Sequence, residues 1–232
     1  MADSSIHKSG GGCLGKLLGL VLLISAIGLG TAMVFIAQPQ DVTDIGGFVP
    51  LSKITPTRDL KGVLQNAIDR GYPITLSETE INRWLGRSLV SKQGGLLANS
   101  ISIDRVWVRL EDGYAEVVIG RKIMGQPFTV SMFLTIQQSE GSKGALTEVQ
   151  LHGGSYHQDF PQPLRGGRFG RLVVPQGFLL LVLPSYQQLA SLFRDEIHLA
   201  FEEMARIKIE KHRLILNPTA PASDLDSLPS VF

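Results

Sequence analysis

Three arginines set among glycines are the residues of this sequence best suited to bind a charged ligand. Arg165, Arg168 and Arg171 occur in the stretch Arg-Gly-Gly-Arg-Phe-Gly-Arg, with Phe169 between the last two. A guanidinium group binds phosphate oxygens through paired hydrogen bonds. We predict that residues 152–170 form a Gly-, Pro- and Arg-rich loop. Its arginines either contact phosphate, such as a lipid headgroup, or belong to a solvated loop whose glycines make turns, and we favour the solvated loop.

An apolar run follows the arginines and reads Phe-Leu-Leu-Leu-Val-Leu over residues 178–183. It is too short to cross a bilayer. One interpretation places it in the core, and the other makes it the apolar mouth of a lipid groove next to the arginines. The second interpretation gives a candidate ligand site composed of Arg165, Arg168, Phe169, Arg171, Phe178 and Leu181.

The other chemistry-bearing residues form no recognisable catalytic or metal site. Residues 10–16 resemble a phosphate-binding P-loop, but Leu17 stands where a Ser or Thr hydroxyl is needed for Mg²⁺, and an apolar run follows. His152, His157 and Asp159 share one segment without a fourth metal ligand. The sequence also lacks a Gly-x-Ser-x-Gly motif. We therefore predict no catalytic residue, no metal and no cofactor.

An uncharged run over residues 17–37 precedes all of these residues. As a helix it is about 30 Å long, which matches the hydrocarbon thickness of a bilayer. We predict a transmembrane helix, against the alternative of a cleaved signal peptide, whose apolar region is usually shorter. Glycine and alanine pairs four residues apart in this run fit helix pairing in the membrane.

The charges that flank the run indicate its orientation. Lys8 and Lys16 precede it, whereas Asp41 and Asp44 follow it. The positive-inside rule then puts the N-terminus in the cytoplasm and the rest of the chain outside the cell membrane.

Hydrophobic periodicity predicts two helices after the transmembrane helix. The first covers residues 57–70, with Thr57 as its cap and Gly71 past its end. The second begins at Ser77, because Ser77 and Glu80 have the spacing of a capping box.

Beyond residue 101 the period changes to two, which is typical of strands. Two strands flank a hairpin turn at Asp112-Gly113, and two more cover residues 128–136 and 145–151. A short extended piece over residues 171–175, an amphipathic helix over residues 185–204 and a last strand over residues 206–216 complete the fold.

The predicted fold class is therefore α+β: an N-terminal transmembrane helix, then a curved antiparallel β-meander packed against a long amphipathic α-helix. The predicted domain organisation is a cytoplasmic tail (1–16), the transmembrane helix (17–37), a linker (38–56), an extracytoplasmic α+β domain (57–216) and a flexible C-terminal tail (217–232).

This order of elements resembles the YpmS-like membrane-anchored proteins and, more distantly, the tubular lipid-binding group of folds. The resemblance rests on Leu-Ser-x-x-Glu-Ile-Asn-x-x-Leu over residues 76–85 and Gly-Arg-Leu-Val-Val-Pro over residues 170–175. It covers roughly residues 56–216 and implies a long helix on a curved sheet whose apolar interior holds acyl chains. Lys211-His212 departs from the Asn-Gly or Asp-Gly turn expected before the last strand.

The net charge of the chain beyond residue 40 bears on which ligands it attracts. Residues 1–40 contain Lys8, Lys16 and Asp3, so the rest of the chain has 20 basic and 20 acidic residues out of totals of 22 and 21. This zero net charge gives no general attraction to nucleic acid. We expect a non-catalytic domain that binds a lipid or other apolar ligand at the outer membrane surface. The alternative is an envelope scaffold that holds a protein partner through its transmembrane helix or its tail.

Overall fold

The predicted α+β class is confirmed. A computed structural model describes residues 13–47, 58–93, 103–123, 125–141, 144–151 and 165–219. An N-terminal apolar helix is followed by antiparallel sheets and further helices.

Helix α1 (Cys13–Ala37) contains the predicted apolar run and is long and apolar enough to cross a membrane. Its large apolar side chains from Leu17 to Phe35 are exposed rather than packed on the domain. Such a surface is unfavourable in water and favourable in lipid. The helix therefore meets the physical requirements of a membrane span.

The larger sheet is antiparallel and runs in the order β2-β3-β4-β6-β7, with β5 paired to the second half of β4. The predicted hairpin is confirmed: Asp112 and Gly113 form its turn, and Val108 lies opposite Val117. The strands are β2 (Arg105–Glu111), β3 (Tyr114–Ile123), β4 (Gln126–Gly141), β5 (Gly144–Leu151), β6 (Arg165–Phe169) and β7 (Leu172–Pro175).

A smaller antiparallel sheet has the order β1-β9-β8. The single last strand predicted over residues 206–216 is wrong, because this segment is a hairpin that turns at Lys211-His212. His212 takes the left-handed conformation, with φ of 62°, and histidine signals this conformation less clearly than glycine does. The strands are β1 (Ile74–Ser77), β8 (Arg206–Glu210) and β9 (Arg213–Asn217).

Along the chain, two helices follow α1 and precede the larger sheet: α2 (Leu60–Arg70) and α3 (Glu78–Gln93). Asp59 caps α2 through the backbone amide of Lys61, whereas Thr57, the predicted cap, lies outside the described residues. The hydroxyl of Ser77 accepts the backbone amide of Glu80 at 3.2 Å, which confirms the predicted cap of α3.

Helix α3 covers the open edge of β2 with polar side chains. The amide group of Asn82 donates to the carbonyl of Val108 at 2.8 Å and accepts the backbone amide of Val108 at 2.6 Å. The carboxylate of Glu78 accepts the backbone amide of Leu110 at 2.7 Å. These side chains replace a neighbouring strand, since the backbone groups of an edge would otherwise be unpaired.

The predicted long helix over residues 185–204 is divided at Phe193. A 3₁₀ turn (Gln176–Leu181) leads into α4 (Leu183–Leu192), and α5 (Arg194–Ile197) continues as a π-helical turn (His198–Glu202). Phe193 has φ of −112° and is buried against Trp84, with ring centroids 5.3 Å apart. Burial of this ring accompanies the break.

The core lies between the inner face of the larger sheet and the helices. Alternate residues of β2, β3 and β4 point into it, and α4 closes it through Tyr186, whose hydroxyl donates to the carbonyl of Val117 at 3.0 Å. Buried residues of this core include Val106, Ile119, Val130, Met132, Val174, Leu179, Tyr186 and Phe193.

Candidate functional site

The arginine segment is not the predicted loop where the structure describes it. Residues 165–169 form β6, which pairs with β4 and then with β7 across a turn at Gly170-Arg171. Three glycines in this short stretch favoured a loop prediction. Pairing with β4 instead decides the conformation.

The structure divides the predicted site residues between two faces of the sheet. Arg168 lies opposite Ser131 on the outer face, where its Nε is 3.6 Å from Glu116 and its guanidinium lies over the Phe133 ring. Phe169 points to the inner face and packs on the core. Arg165 lies opposite Pro175, at the start of β6.

Arg171 lies instead at the end of the apolar helix. Its backbone amide donates to the carbonyl of Phe35 at 2.9 Å. Gly170, with φ of 55°, lies very close to this end of the helix. A Cβ atom there would lie 2.5 Å from the carbonyl oxygen of Gln38 and 2.6 Å from that of Phe35. The turn between β6 and β7 therefore caps the last turn of α1.

The predicted apolar mouth is partly exposed. Phe178, Leu180 and Leu181 are 54%, 72% and 73% exposed on the 3₁₀ turn, whereas Leu179 between them is 1% exposed and belongs to the core. The structure thus brings Phe178 and Leu181 together at the surface and separates them from the side chain of Arg168, which lies on the outer face of the sheet.

Residues 38–47, predicted as part of a linker, pack on the outer face of the sheet, and we call them the strap. Val42 and Ile45 are buried with Trp107 and Val118. The backbone amide of Gln40 donates to the Thr129 hydroxyl at 2.8 Å. The strap therefore extends the contact between α1 and the sheet.

A buried carboxylate lies beneath the strap. Glu116 is 1% exposed, and its oxygens accept the Ser131 hydroxyl at 2.6 Å and the Arg109 guanidinium at 2.7 Å. Arg109 also binds the Asp44 carboxylate of the strap at 3.0 Å. Burial lowers the pKa of Arg109, but its bonds to Asp44 and the charge of Glu116 outweigh this effect and raise it. This network holds the strap on the sheet.

One end of the larger sheet lies against the end of α1, and we call it the anchor end. β2 starts there, β3 ends opposite the start of β4, and Gly170 donates its amide to the carbonyl of Thr129 at 2.8 Å. Because Arg171 contacts Phe35 at this end, the anchor end is the part of the sheet nearest the bilayer if α1 spans the membrane.

A cleft of about 430 Å³ opens at the anchor end. Trp107, Pro127 and Phe128 supply apolar walls, and Arg121 and Lys122 supply positive charge. Asp104 and Arg105, at the start of β2, complete the rim.

Arg121 is the chemically unusual residue of this cleft. It follows Val117 and Ile119 in the alternation of β3, so it continues the inner face of the sheet. Its Nε and Nη2 atoms are buried without a hydrogen-bond partner among the described residues. Burial lowers its pKa. The sequence signal for this residue is an arginine in the apolar register of a strand, and the sequence-based site prediction does not include it.

No protein-family model and no curated protein matches the chain.

The remaining candidates are less informative. A cavity of about 630 Å³ at the β8–β9 hairpin is also charged, but there Glu210 pairs with Lys208 at 2.7 Å and with Arg213 at 2.6 Å. His152, His157 and Asp159 lie outside the described residues. Among the residues that the structure describes, no three His, Cys, Asp or Glu side chains form a metal cluster.

Proposed function

We propose that this protein is a single-pass membrane protein whose folded domain binds a lipid or another apolar ligand at the membrane surface, without catalysis. One observation carries the proposal: the contact between Arg171 and Phe35 joins the end of the apolar helix to the sheet end that contains the cleft. A lipid could then reach the cleft from the bilayer without crossing water. The positive-inside rule favours the outer surface.

The strap supports this arrangement. A flexible linker would let the domain move away from the bilayer. Here Gln40, Val42 and Ile45 are buried on the sheet, and Asp44 pairs with Arg109. The cleft is thereby kept near the end of α1, and the resemblance to tubular lipid-binding folds agrees with a lipid ligand.

Native mass spectrometry tests the proposal on the full-length chain purified in mild detergent. We expect bound lipid on the wild type and much less on Phe128→Asp, which puts a charge in the apolar wall of the cleft. Val149→Asp is the matched control, because Val149 is an exposed β-strand residue outside the cleft lining. A wild type without lipid at every detergent concentration would contradict the proposal.

Orientation needs its own experiment. Cys13 is the only cysteine, so Ser91→Cys in a Cys13→Ser background places one thiol on an exposed position of α3. We expect a membrane-impermeant maleimide to label it from outside intact cells. Labelling that requires cell lysis would put the domain in the cytoplasm.

The second candidate function is a scaffold that holds a protein partner. The exposed side chains of Phe178, Leu180 and Leu181 favour it, since contiguous exposed apolar residues often mark an interface. Crosslinking of the full-length chain in membranes should then give a defined adduct that disappears in Leu180→Ser/Leu181→Ser. Lipid binding in the cleft should be unchanged in that variant.

A further inference from the structure

We infer that Arg121 is the anion-binding residue of the anchor-end cleft, and that its ligand is a lipid with an acidic headgroup whose oxyanion pairs with the guanidinium. The acyl chain would lie against Phe128. This inference rests on the proposed lipid-binding function and specifies the class of lipid.

Two buried guanidinium nitrogens of Arg121 have no hydrogen-bond partner among the described residues. A buried charged donor without a partner is strongly unfavourable, so native proteins rarely contain one without a reason. Nε and Nη2 of Arg121 are such donors, and Arg121 makes no ion pair within the described part of the chain. Asp104 lines the same cleft but does not pair with it. A carboxylate or phosphate would satisfy these donors, and a neutral headgroup would do so less well.

Arg121 differs from two other arginines of the larger sheet, Arg109 and Arg168, in how its charge is compensated. Arg109 is also partly buried, but it binds Glu116, Asp44 and the carbonyl of Asp41. Arg168 also has a buried Nε atom without a hydrogen-bond partner, but this atom lies 3.6 Å from a Glu116 oxygen and the guanidinium lies over the Phe133 ring. Their charges are compensated within the protein, whereas compensation for Arg121 has to come from a ligand.

The apolar walls and the position of the cleft favour a lipid over a free anion. Small anions are bound by hydrated, polar sites, but the cleft has Trp107, Pro127 and Phe128 in its walls. It also opens at the sheet end that is capped onto α1. An amphiphile with one acidic group matches both the charge and the apolar walls.

Trp107 provides a direct readout. It lines the cleft, and the chain contains one other tryptophan, Trp84, in the core. In a Trp84→Phe background, a lipid with bromine on its acyl chain should quench the fluorescence of Trp107 when it occupies the cleft. The full-length chain is placed in phosphatidylcholine nanodiscs and titrated with dibromostearate, with the phosphate monoester dibromostearyl phosphate, and with dibromostearoyl glycerol as the neutral lipid of equal chain length.

We expect both acidic lipids to bind at least tenfold more tightly than the neutral one. Arg121→Gln should abolish this preference by weakening the binding of both acidic lipids to the level of the neutral one, and Arg121→Lys should retain part of it. Arg213→Gln is the matched control, because Arg213 is an exposed arginine on the β8–β9 hairpin outside the cleft lining. A wild type that binds all three lipids equally would overturn the inference but not the proposed function. Absence of quenching by every lipid would contradict both.

Two further measurements complete the test. Inorganic phosphate should not displace the acidic lipids at millimolar concentration, and displacement would identify a simple anion site instead. Arg121→Gln should also leave the Tm of the lipid-free protein unchanged or raise it, because it removes an unpaired buried charge. Acidic lipid should raise the Tm of the wild type and not that of this variant. A lower Tm of lipid-free Arg121→Gln would show that a partner within the protein already binds Arg121.

Discussion

The backbone amide of Arg171 donates a hydrogen bond of 2.9 Å to the carbonyl oxygen of Phe35, and so joins the β6–β7 turn to the last turn of the apolar helix. Helix ends leave carbonyl groups without partners inside the helix. The folded domain supplies one such partner here, and the positive charge of Arg171 suits the negative end of the helix dipole. Two parts of the chain that the sequence separates by a predicted linker are thus in direct contact.

Gly170 makes this contact feasible, so Gly170→Ala should weaken it. A Cβ atom would meet the carbonyl oxygens of Phe35 and Gln38, and alanine is also strained at φ of 55°. We expect a loss of about 2–4 kcal/mol in the free energy of unfolding, measured with urea in detergent micelles. Gly113→Ala separates the two effects, because Gly113 has φ of 83° and open space around it, and should cost only about 1–2 kcal/mol. Equal losses in the two variants would argue against crowding at Gly170.

Asn82 should be essential for the edge of the larger sheet. Its side chain pairs with both backbone groups of Val108, and Asn82→Ala leaves these half-buried groups without those partners. We expect a loss of about 2–4 kcal/mol in the free energy of unfolding. Asn66→Ala, which removes an exposed bond to Gly62 within α2, should change it by less than about 0.5 kcal/mol. Comparable effects in both variants would show that the edge tolerates the loss of Asn82.

The Glu116 network should contribute to stability beneath the strap. Glu116→Ala leaves Arg109 partly buried without one of its two carboxylates, and we expect a loss of about 3–5 kcal/mol. Glu148→Ala, at an exposed position of β5, should change the free energy of unfolding by less than about 0.5 kcal/mol. Limited proteolysis of Glu116→Ala should also cut the strap faster than in the wild type. A strap that stays resistant would mean that Val42 and Ile45 hold it unaided.

The Asp41 carboxyl should make the strap sensitive to acid. Hydrogen bonds from the Thr43 hydroxyl and backbone amide hold the pKa of Asp41 below its usual value of 3.8, and Arg171 and Arg109 act in the same direction. A carboxyl with a lowered pKa in the folded state stabilises it above the unfolded pKa, and this contribution is lost as the pH falls through the folded pKa. Its contribution should therefore be complete near neutral pH and decline below about pH 4.

An NMR titration checks this prediction. Thr43→Val removes the hydroxyl donor, so the pKa of Asp41 should rise towards the usual value. Asp195, whose pKa is lowered by its hydrogen bond to Lys61, serves as an internal control that Thr43→Val should leave unchanged. An unaltered pKa of Asp41 in the variant would contradict the role of the Thr43 hydroxyl.

The exposed apolar turn should be dispensable for folding. Leu180→Ser and Leu181→Ser remove side chains that are largely in solvent, so we expect changes of less than about 0.5 kcal/mol in the free energy of unfolding. Leu179→Ala should cost about 2–5 kcal/mol, because Leu179 is buried in the core. If the two serine variants unfold as readily as Leu179→Ala, the turn is a structural element rather than a surface for binding.

Local patterns in the sequence determined a large part of this structure. The apolar run of α1, the cap at Ser77, the left-handed Gly71 and the hairpin at Asp112-Gly113 are all found as predicted. Each depends on residues near one another in the chain, where hydrophobic periodicity or turn chemistry favours one conformation. The same patterns were sufficient for the α+β class.

Contacts between distant segments decided the features that local sequence patterns did not predict. Pairing with β4 makes β6 a strand despite its glycines, burial against Trp84 accompanies the break of the last helix at Phe193, and the outer face of the sheet binds the strap. The unpaired Nε and Nη2 atoms of Arg121 also depend on distant residues, because no side chain that the structure describes forms a hydrogen bond with them. These contacts join residues far apart in the chain, and periodicity does not record which distant segments will meet.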